Sequence, residues 1–331
     1  MSLVLRLNAE TAPMLSEERD IVLTSGATLV EIEGARDDEI LAYADQVDAI
    51  MVVSAYLHSH VVDKLARCRL ISRLGTGVDK LAVATATEKG ILVTNVPDFC
   101  TREVADHTLA LLLSVARQLR FCEAEMRSGR QPACTEAFDR LDGRTLGLIG
   151  LGRIGQAVAK RALGFGMRVL GCDPGLSPQE MRELGVESAD LETVLAESDY
   201  LSLFCPLTER TRGMISASEL SKMKPSAVLV NTGRGELVVE SDLVAALRKG
   251  TIRFAALDVY GEINVFAPGG FPTDHPLFDL PNVVLTPHVA ACSPQAILDS
   301  RVRGAQAVVD VLAGNWPRRS EEHTSELQSP N

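Results

Sequence analysis

Short apolar runs separated by polar, helix-spaced stretches set the rhythm of this chain. From "AIMVVSA" (49–55) to "GILVTNVP" (90–97), β-branched runs alternate with segments such as "SHVVDKLARC", which has helical spacing and charged faces. "LISRLGTGVD" reads as a strand entering a glycine-rich turn. Alternation of this kind predicts parallel strands joined by crossover helices. The stretch "TREVADHTLALLLSVARQLRFCEAEMRSG" follows, with Thr101 as its N-cap. It predicts one helix running to about Gly129, long enough to bridge two domains. A second rhythm starts at "RTLGLIGLGRIGQAVAKRALGFGMRVLGCDP" and continues through "SDYLSLFCPL", "SAVLVNTGRG", "IRFAALDVY" and "NVVLTPH". Each is an apolar strand with a polar or glycine-bearing end, and helical segments such as "ESDLVAALRKG" lie between them. The expected class is therefore α/β, with two doubly wound parallel-sheet domains. After His288, "SPQAILDSRVRGAQAVVDVLAGN" is amphipathic and has no strand after it. It is expected to return to the first domain, which is then built from two segments. No internal repeat or low-complexity segment stands out.

Length agrees with that division, since 331 residues make about two domains at roughly 150 residues each. A hydrophobic content of 46% is globular. No apolar run reaches membrane-spanning length, and "MSLVLRLNAE" lacks the features of a secretory leader. The net charge of -11 argues against nucleic acid or a membrane surface as partner. Seven cysteines, Cys134 among them, are scattered without a C-x-x-C pair. They read as small core residues of a protein in a reducing cytosol, and no metal site is expected. The segment "RSEEHTSELQS" (319–329) is similar to a translated sequencing adapter. Residues 319–331 are therefore read as a non-native tail, with the biological chain running past Pro317 into something else.

Candidate chemistry begins at "GLGRIG", which spaces Gly150, Gly152 and Gly155 as G-x-G-x-x-G between a strand and a helix. Gly150 suits a tight turn, Gly152 a close approach to a pyrophosphate, and Gly155 close packing of helix on strand. The amides near Arg153 and Ile154 then face phosphates at a helix N-terminus. Asp173 ends the next strand, where a carboxylate accepts both ribose hydroxyls of NAD and repels the extra phosphate of NADP.

The ordered set "SRLGTGVDK", "GILVTNVPDFC", "EVADHTLALLL", "GRTLGLIGLGRIG", "NTGRGELV", "ALDV" and "HPLFDLPNVVLTPH" resembles the D-2-hydroxyacid dehydrogenase family, from about Ser72 to Gly314. The resemblance implies a Rossmann NAD-binding domain (104–289) inserted in a split flavodoxin-like substrate domain (1–103 and 290–318). It also implies an active site in the cleft between domains and a homodimer formed through the cofactor domains. The expected activity is NAD-dependent interconversion of a 2-oxo acid and a D-2-hydroxy acid. Arg234, flanked by Gly233 and Gly235, matches the family's catalytic arginine, whose planar fork suits a carboxylate and a carbonyl oxygen. His288 matches the acid/base, giving a proton to the carbonyl oxygen in reduction and taking it back in oxidation. Thr76 and Gly77 match the backbone amides that meet the substrate carboxylate. Asp258 matches a position beside the nicotinamide amide. Cys205, Pro206 and Thr232, at two strand ends, complete the expected cofactor set. His107 and His275 receive no catalytic role, and His58 and His60 read as surface residues.

The family's third catalytic residue is a glutamate five residues after this aspartate, where this chain has Ile263. Glu262 stands one position early. We expect a shortened loop to bring Glu262 to His288, where it raises the imidazole pKa by favouring the charged form. The alternative points it to solvent. The loop continues "INVFAPGGFPTDHPLF", longer than the family's usual "EP" turn. Phosphoglycerate dehydrogenases share "SRLGTGVDK", including Arg73, but usually carry a basic residue where this chain has Val53. A dianionic phosphate wants a cation there, so a small 2-oxo acid such as glyoxylate or hydroxypyruvate is the expected substrate. The rival function is a dinucleotide-dependent corepressor-like or sensor protein with little or no turnover.

Overall fold

The computed structural model describes residues 2–131, 138–267 and 270–317, so Cys134 and the 319–331 tail lie outside it. The chain forms two compact units. One takes the residues up to Cys100 together with those from Cys292 onward, and the other is Thr101–Ala291.

The first unit holds β1 (Leu3–Arg6), β2 (Thr28–Glu31), β3 (Ala49–Val52), β4 (Leu70–Arg73) and β5 (Leu92–Thr94), all parallel, in the order β2-β1-β3-β4-β5. That is the flavodoxin-like order. The alternation thus begins earlier than the sequence pattern indicated, because β1 and β2 are short and β2 is only partly buried. The helix Pro294–Leu312 packs on β4, where a Cβ on Gly304 would lie 2.0 Å from Leu74 Cδ2. Glycine is what lets its backbone come close enough for Ser72 Oγ to donate to Gly304 O at 3.0 Å.

Beneath this sheet lies a buried charge cluster. Arg6 Nε donates to Glu18 Oε1 at 2.6 Å, both side chains being 0% exposed, and Arg301 Nε stands 3.8 Å from Glu18 Oε2. Arg6 also donates to the carbonyls of Leu7 and Ala12. Burial lowers the Arg301 pKa to about 10, the Arg6 charge adds to that, and Glu18 opposes it.

The second unit holds β6 (Thr145–Ile149), β7 (Arg168–Cys172), β8 (Glu187–Ser188), β9 (Tyr200–Leu203), β10 (Val228–Asn231), β11 (Phe254–Leu257) and β12 (Val283–Leu285). Their order is β12-β11-β10-β9-β6-β7-β8, parallel throughout. β6, β9 and β10 are buried at every position, as expected of parallel strands covered on both faces. The sequence predicts one helix over 101–129, and the structure has two: Thr101–Ala116 and Leu119–Arg127. Gln118 breaks them with φ 49°, a left-handed residue of the kind that ends helices. The first helix buries eight side chains in the core and the second buries none, so packing continues only one of them.

Candidate active site

Every strand of a parallel sheet delivers its carboxyl end to one edge, and ligands settle where the strand order reverses. In the second sheet that point falls between β6 and β9, and the turn Gly150–Gly152 sits there. Gly150 has φ +94°, and a Cβ on it would lie 2.5 Å from Cys205 N. A Cβ on Gly155 would lie 2.3 Å from Gly150 O. Both positions are therefore closed to any side chain. Gly152 differs: a Cβ there would meet nothing within 4 Å. Its bare backbone opens the helix Arg153–Gly164, and the amides of Gly152 and Ile154 find no acceptor among the described residues. This cradle fits a pyrophosphate. Asp173, just past β7, accepts from Leu151 N at 2.6 Å and from Gly175 N at 2.8 Å. Those bonds fix its carboxylate beside the glycine turn. Cys205 follows β9 as a neutral thiol, burial pushing its pKa up to about 11. Pro206 O accepts from Thr211 Oγ1 at 2.6 Å. Thr232, past β10, is buried with its hydroxyl 2.7 Å from that of Thr108.

Arg234 is positioned by its neighbours' lack of side chains. A Cβ on Gly233 would lie 2.6 Å from Leu203 O, and one on Gly235 would lie 2.0 Å from the Tyr260 carbonyl carbon. Asn231 closes the turn, accepting from Gly233 N at 3.0 Å and donating to Arg234 O at 2.8 Å.

His288 lies past β12 with φ 56°, a left-handed conformation uncommon outside glycine. Asp258, past β11, holds this turn. Its Oδ1 accepts from Thr286 Oγ1 at 2.6 Å and Val289 N at 3.0 Å, and its Oδ2 from Ala290 N at 2.9 Å. His107 Nε2 stands 3.0 Å from Thr286 Oγ1 and 3.5 Å from Asp258 Oδ1. Burial alone would raise the Asp258 pKa. The His107 ring, the Thr286 hydroxyl and the two amides outweigh it and hold the carboxyl below the ordinary carboxylate range. With its side chain 1% exposed, Asp258 is committed to the turn's own donors. These bonds make Asp258 a cap of its strand end. The ring of Phe266 lies 5.0 Å from that of His288, centroid to centroid.

Glu262 departs from its expected place. Its side chain is 63% exposed and its Oε2 lies 3.6 Å from His275 Nε2, and it makes no hydrogen bond to His288 among the described residues. The cause is Glu240. This glutamate, 7% exposed, accepts from Gly261 N at 2.7 Å and Glu262 N at 3.1 Å, while His275 Nε2 approaches its other oxygen at 3.4 Å. The backbone is thus tied at 261–262, and the following side chain turns toward His275.

In the first unit, the carbonyls of Thr76 and Gly77 are occupied from behind, by Asn95 Nδ2 at 2.7 Å and Arg73 Nε at 2.9 Å. The amides of both residues find no acceptor among the described residues. Asn8 was missed in the sequence. Its Oδ1 accepts from the amides of Val53, Ser54 and Ala55, at 3.1, 2.9 and 3.2 Å. This pins the "VVSAYL" loop at the reversal between β1 and β3. Lys80 reaches the same loop, donating to Ser54 O at 3.2 Å with its ammonium 4.7 Å from the Tyr56 ring centroid. His58 and His60 stack on one another and both pair with Asp37.

A glycine cradle at the reversal of a parallel sheet, with a fixed carboxylate ending the neighbouring strand, defines a dinucleotide-binding α/β protein. Residues 109–290 match the NAD binding domain of D-isomer specific 2-hydroxyacid dehydrogenases. The chain belongs to that family. It is 36% identical over 286 residues to the D-3-phosphoglycerate dehydrogenase of Mycobacterium tuberculosis, covering 86% of this chain and 53% of the relative. It is 38% identical over 265 residues to the glyoxylate reductase of Thermococcus litoralis, covering 78% of each. It also superposes on the D-lactate dehydrogenase of Aquifex aeolicus, solved with NAD and lactic acid, with a TM-score of 0.84 at 28% identity, covering 94% of this chain and 96% of that one. The chain spans about half the length of the phosphoglycerate dehydrogenases it matches.

Proposed function

We propose that the protein interconverts a 2-oxo acid and a D-2-hydroxy acid, with NAD as its nicotinamide cofactor. The observation that carries this reading is His288, held in a left-handed turn by a buried carboxylate on the sheet edge that also bears the glycine cradle. A bound reduced nicotinamide supplies the hydride. Arg234 then orients substrate, its planar fork matching a carboxylate and polarising the carbonyl oxygen. His288 as imidazolium gives that oxygen its proton, and as neutral imidazole takes the proton back in the reverse direction. Gly150, Gly152, Arg153, Ile154 and Gly155 hold the pyrophosphate. Asp173 receives the ribose hydroxyls and disfavours the NADP phosphate. Thr76 and Gly77 offer their amides to the substrate carboxylate.

Two substrate classes have support. The uncharged Val53 favours a short 2-oxo acid such as glyoxylate or hydroxypyruvate. Lys80, a cation that reaches the same loop, favours an acid with a second anionic group. NADH oxidation by the purified chain against glyoxylate, hydroxypyruvate, pyruvate and phosphohydroxypyruvate, repeated with NADPH, separates them. We expect turnover on an unphosphorylated acid, with NADH preferred. No turnover on any of the four would move the protein to the corepressor-like or sensor reading.

We propose also that the protein is a homodimer. The helix Leu119–Arg127 buries no residue, and Leu119 and Met126, seven residues apart on one face of it, are exposed at 53% and 78%. An exposed apolar helix face of this kind marks an association surface. Sedimentation equilibrium should give twice the chain's 35.6 kDa, and Met126→Glu should give the single mass. A wild-type monomer would end the proposal.

A further inference from the structure

We infer that His107 is a positioning residue for His288, acting through Thr286 and Asp258. The inference rests on the proposed role of His288 and adds to it a residue that the sequence reading left without function. The turn carrying His288 is bonded on both sides of the histidine to one carboxylate: Thr286 precedes it, Val289 and Ala290 follow it, and all three donate to Asp258. The amide of His288 closes the turn by donating to Thr286 O at 3.0 Å.

The donor directions are forced. Thr286 has a single hydroxyl proton, and it goes to Asp258 Oδ1. Toward His107 Nε2, at 3.0 Å, the same oxygen is an acceptor, so His107 carries a proton on Nε2. The chain of bonds therefore runs one way, from His107 to Thr286 to Asp258. His107 gives the Thr286 oxygen a second bond beside the one it makes to Asp258.

The helix Thr101–Ala116 supports the sheet edge through adjacent residues, since Thr108 holds the hydroxyl of Thr232 past β10 while His107 holds that of Thr286 past β12. Tyr260, past β11, is the other titratable group bonded to this turn among the described residues. Its hydroxyl donates to Thr286 O at 2.9 Å and to Leu257 O at 3.2 Å, so it fixes the backbone and leaves the hydroxyl of Thr286 to His107. Without the imidazole, Thr286 is released from one side and Asp258 loses its nearest ring donor. The histidine between its anchors then loses its fixed direction.

The test uses the whole chain, with His107→Leu and His107→Gln compared to wild type. One readout is kcat and KM for whichever oxo acid is turned over. The other is the titration of His288, followed by NMR of histidine-labelled protein and assigned from the His288→Gln spectrum. His107→Leu should lower kcat on the order of tenfold, as loss of an outer partner does for other oriented imidazoles. KM should hardly change, and the His288 titration should move. His107→Gln keeps an N–H within reach of Thr286 and should restore most of both. A His107→Leu protein with wild-type kcat and wild-type His288 titration overturns the inference. So does a Gln variant as impaired as the Leu variant. If His107→Leu does not fold, Thr286→Val cuts the same path with little change of shape and is read in the same way. If no acid is turned over, the proposed function fails, yet the His288 titration still decides whether His107 positions it.

Discussion

His288→Gln is expected to lower kcat for 2-oxo acid reduction by roughly 10²–10⁴, the usual contribution of a positioned acid/base, while NADH still binds. Glutamine retains a hydrogen-bonding amide but has no proton to exchange at neutral pH. The loss should therefore fall on kcat and not on cofactor affinity. The pH dependence gives a second reading. Reduction consumes the imidazolium, so wild-type activity is full below the His288 pKa and fades as pH rises through it. Oxidation consumes the neutral ring and runs the other way. That limb of each profile should vanish in the variant. Glu262→Gln is the paired control. Its carboxylate is exposed and faces His275, so the wild-type profile should persist. A profile displaced toward lower pH would show that Glu262 supports the imidazolium after all. Retention of wild-type kcat by His288→Gln would falsify the acid/base assignment.

Glu18→Gln is expected to destabilise the first unit by about 3–5 kcal/mol, the cost of breaking a buried ion pair by removing one partner. Arg6 and Arg301 share this one carboxylate. Its loss leaves two buried guanidinium groups without a counter-charge. A loss of that size is a large share of the about 5–15 kcal/mol that holds an ordinary domain together. Hydrogen exchange resolved by peptide is the suitable measurement, because it reads each unit separately. Protection should collapse over β1 and the helix Ser16–Leu23 and persist over β6 and β10. Unchanged protection over β1 would show that water or a rearranged Arg301 replaces the carboxylate at little cost.

What the sequence disclosed and what it hid follow from the range of the forces involved. The roles of Gly150 and Gly155 are backbone requirements set within a few residues, so spacing alone revealed them. The parallel sheets announced themselves because strands covered on both faces are written as unbroken apolar runs. The charge cluster at Arg6 was invisible: an arginine in a short strand reads as an edge facing water until Glu18 of the next helix and Arg301 of the last one meet it in the fold. The helix break at Gln118 was equally silent, since no glycine marks it and only the end of core packing explains it. The anchoring of His288 joins the ends of two strands to a helix residue, and no local pattern encodes such a meeting. Glu262 was misplaced because counting residues from Asp258 took no account of Glu240, which captures the backbone first.

Glu240 has a further consequence, for how much change the loop that it closes can absorb. It binds the amides that begin the loop and faces the histidine that ends it, so the near stem is fastened to the side chain that the far stem stands against, whatever lies between them. A closed loop of this kind can be lengthened cheaply, each doubling costing only about 0.6 kcal/mol of closure entropy. The segment between Glu262 and His275 is thereby free to drift in length and composition while Arg234, packed through Gly235 against the near stem, stays where it is. New surface chemistry can be trialled there without reopening the catalytic framework.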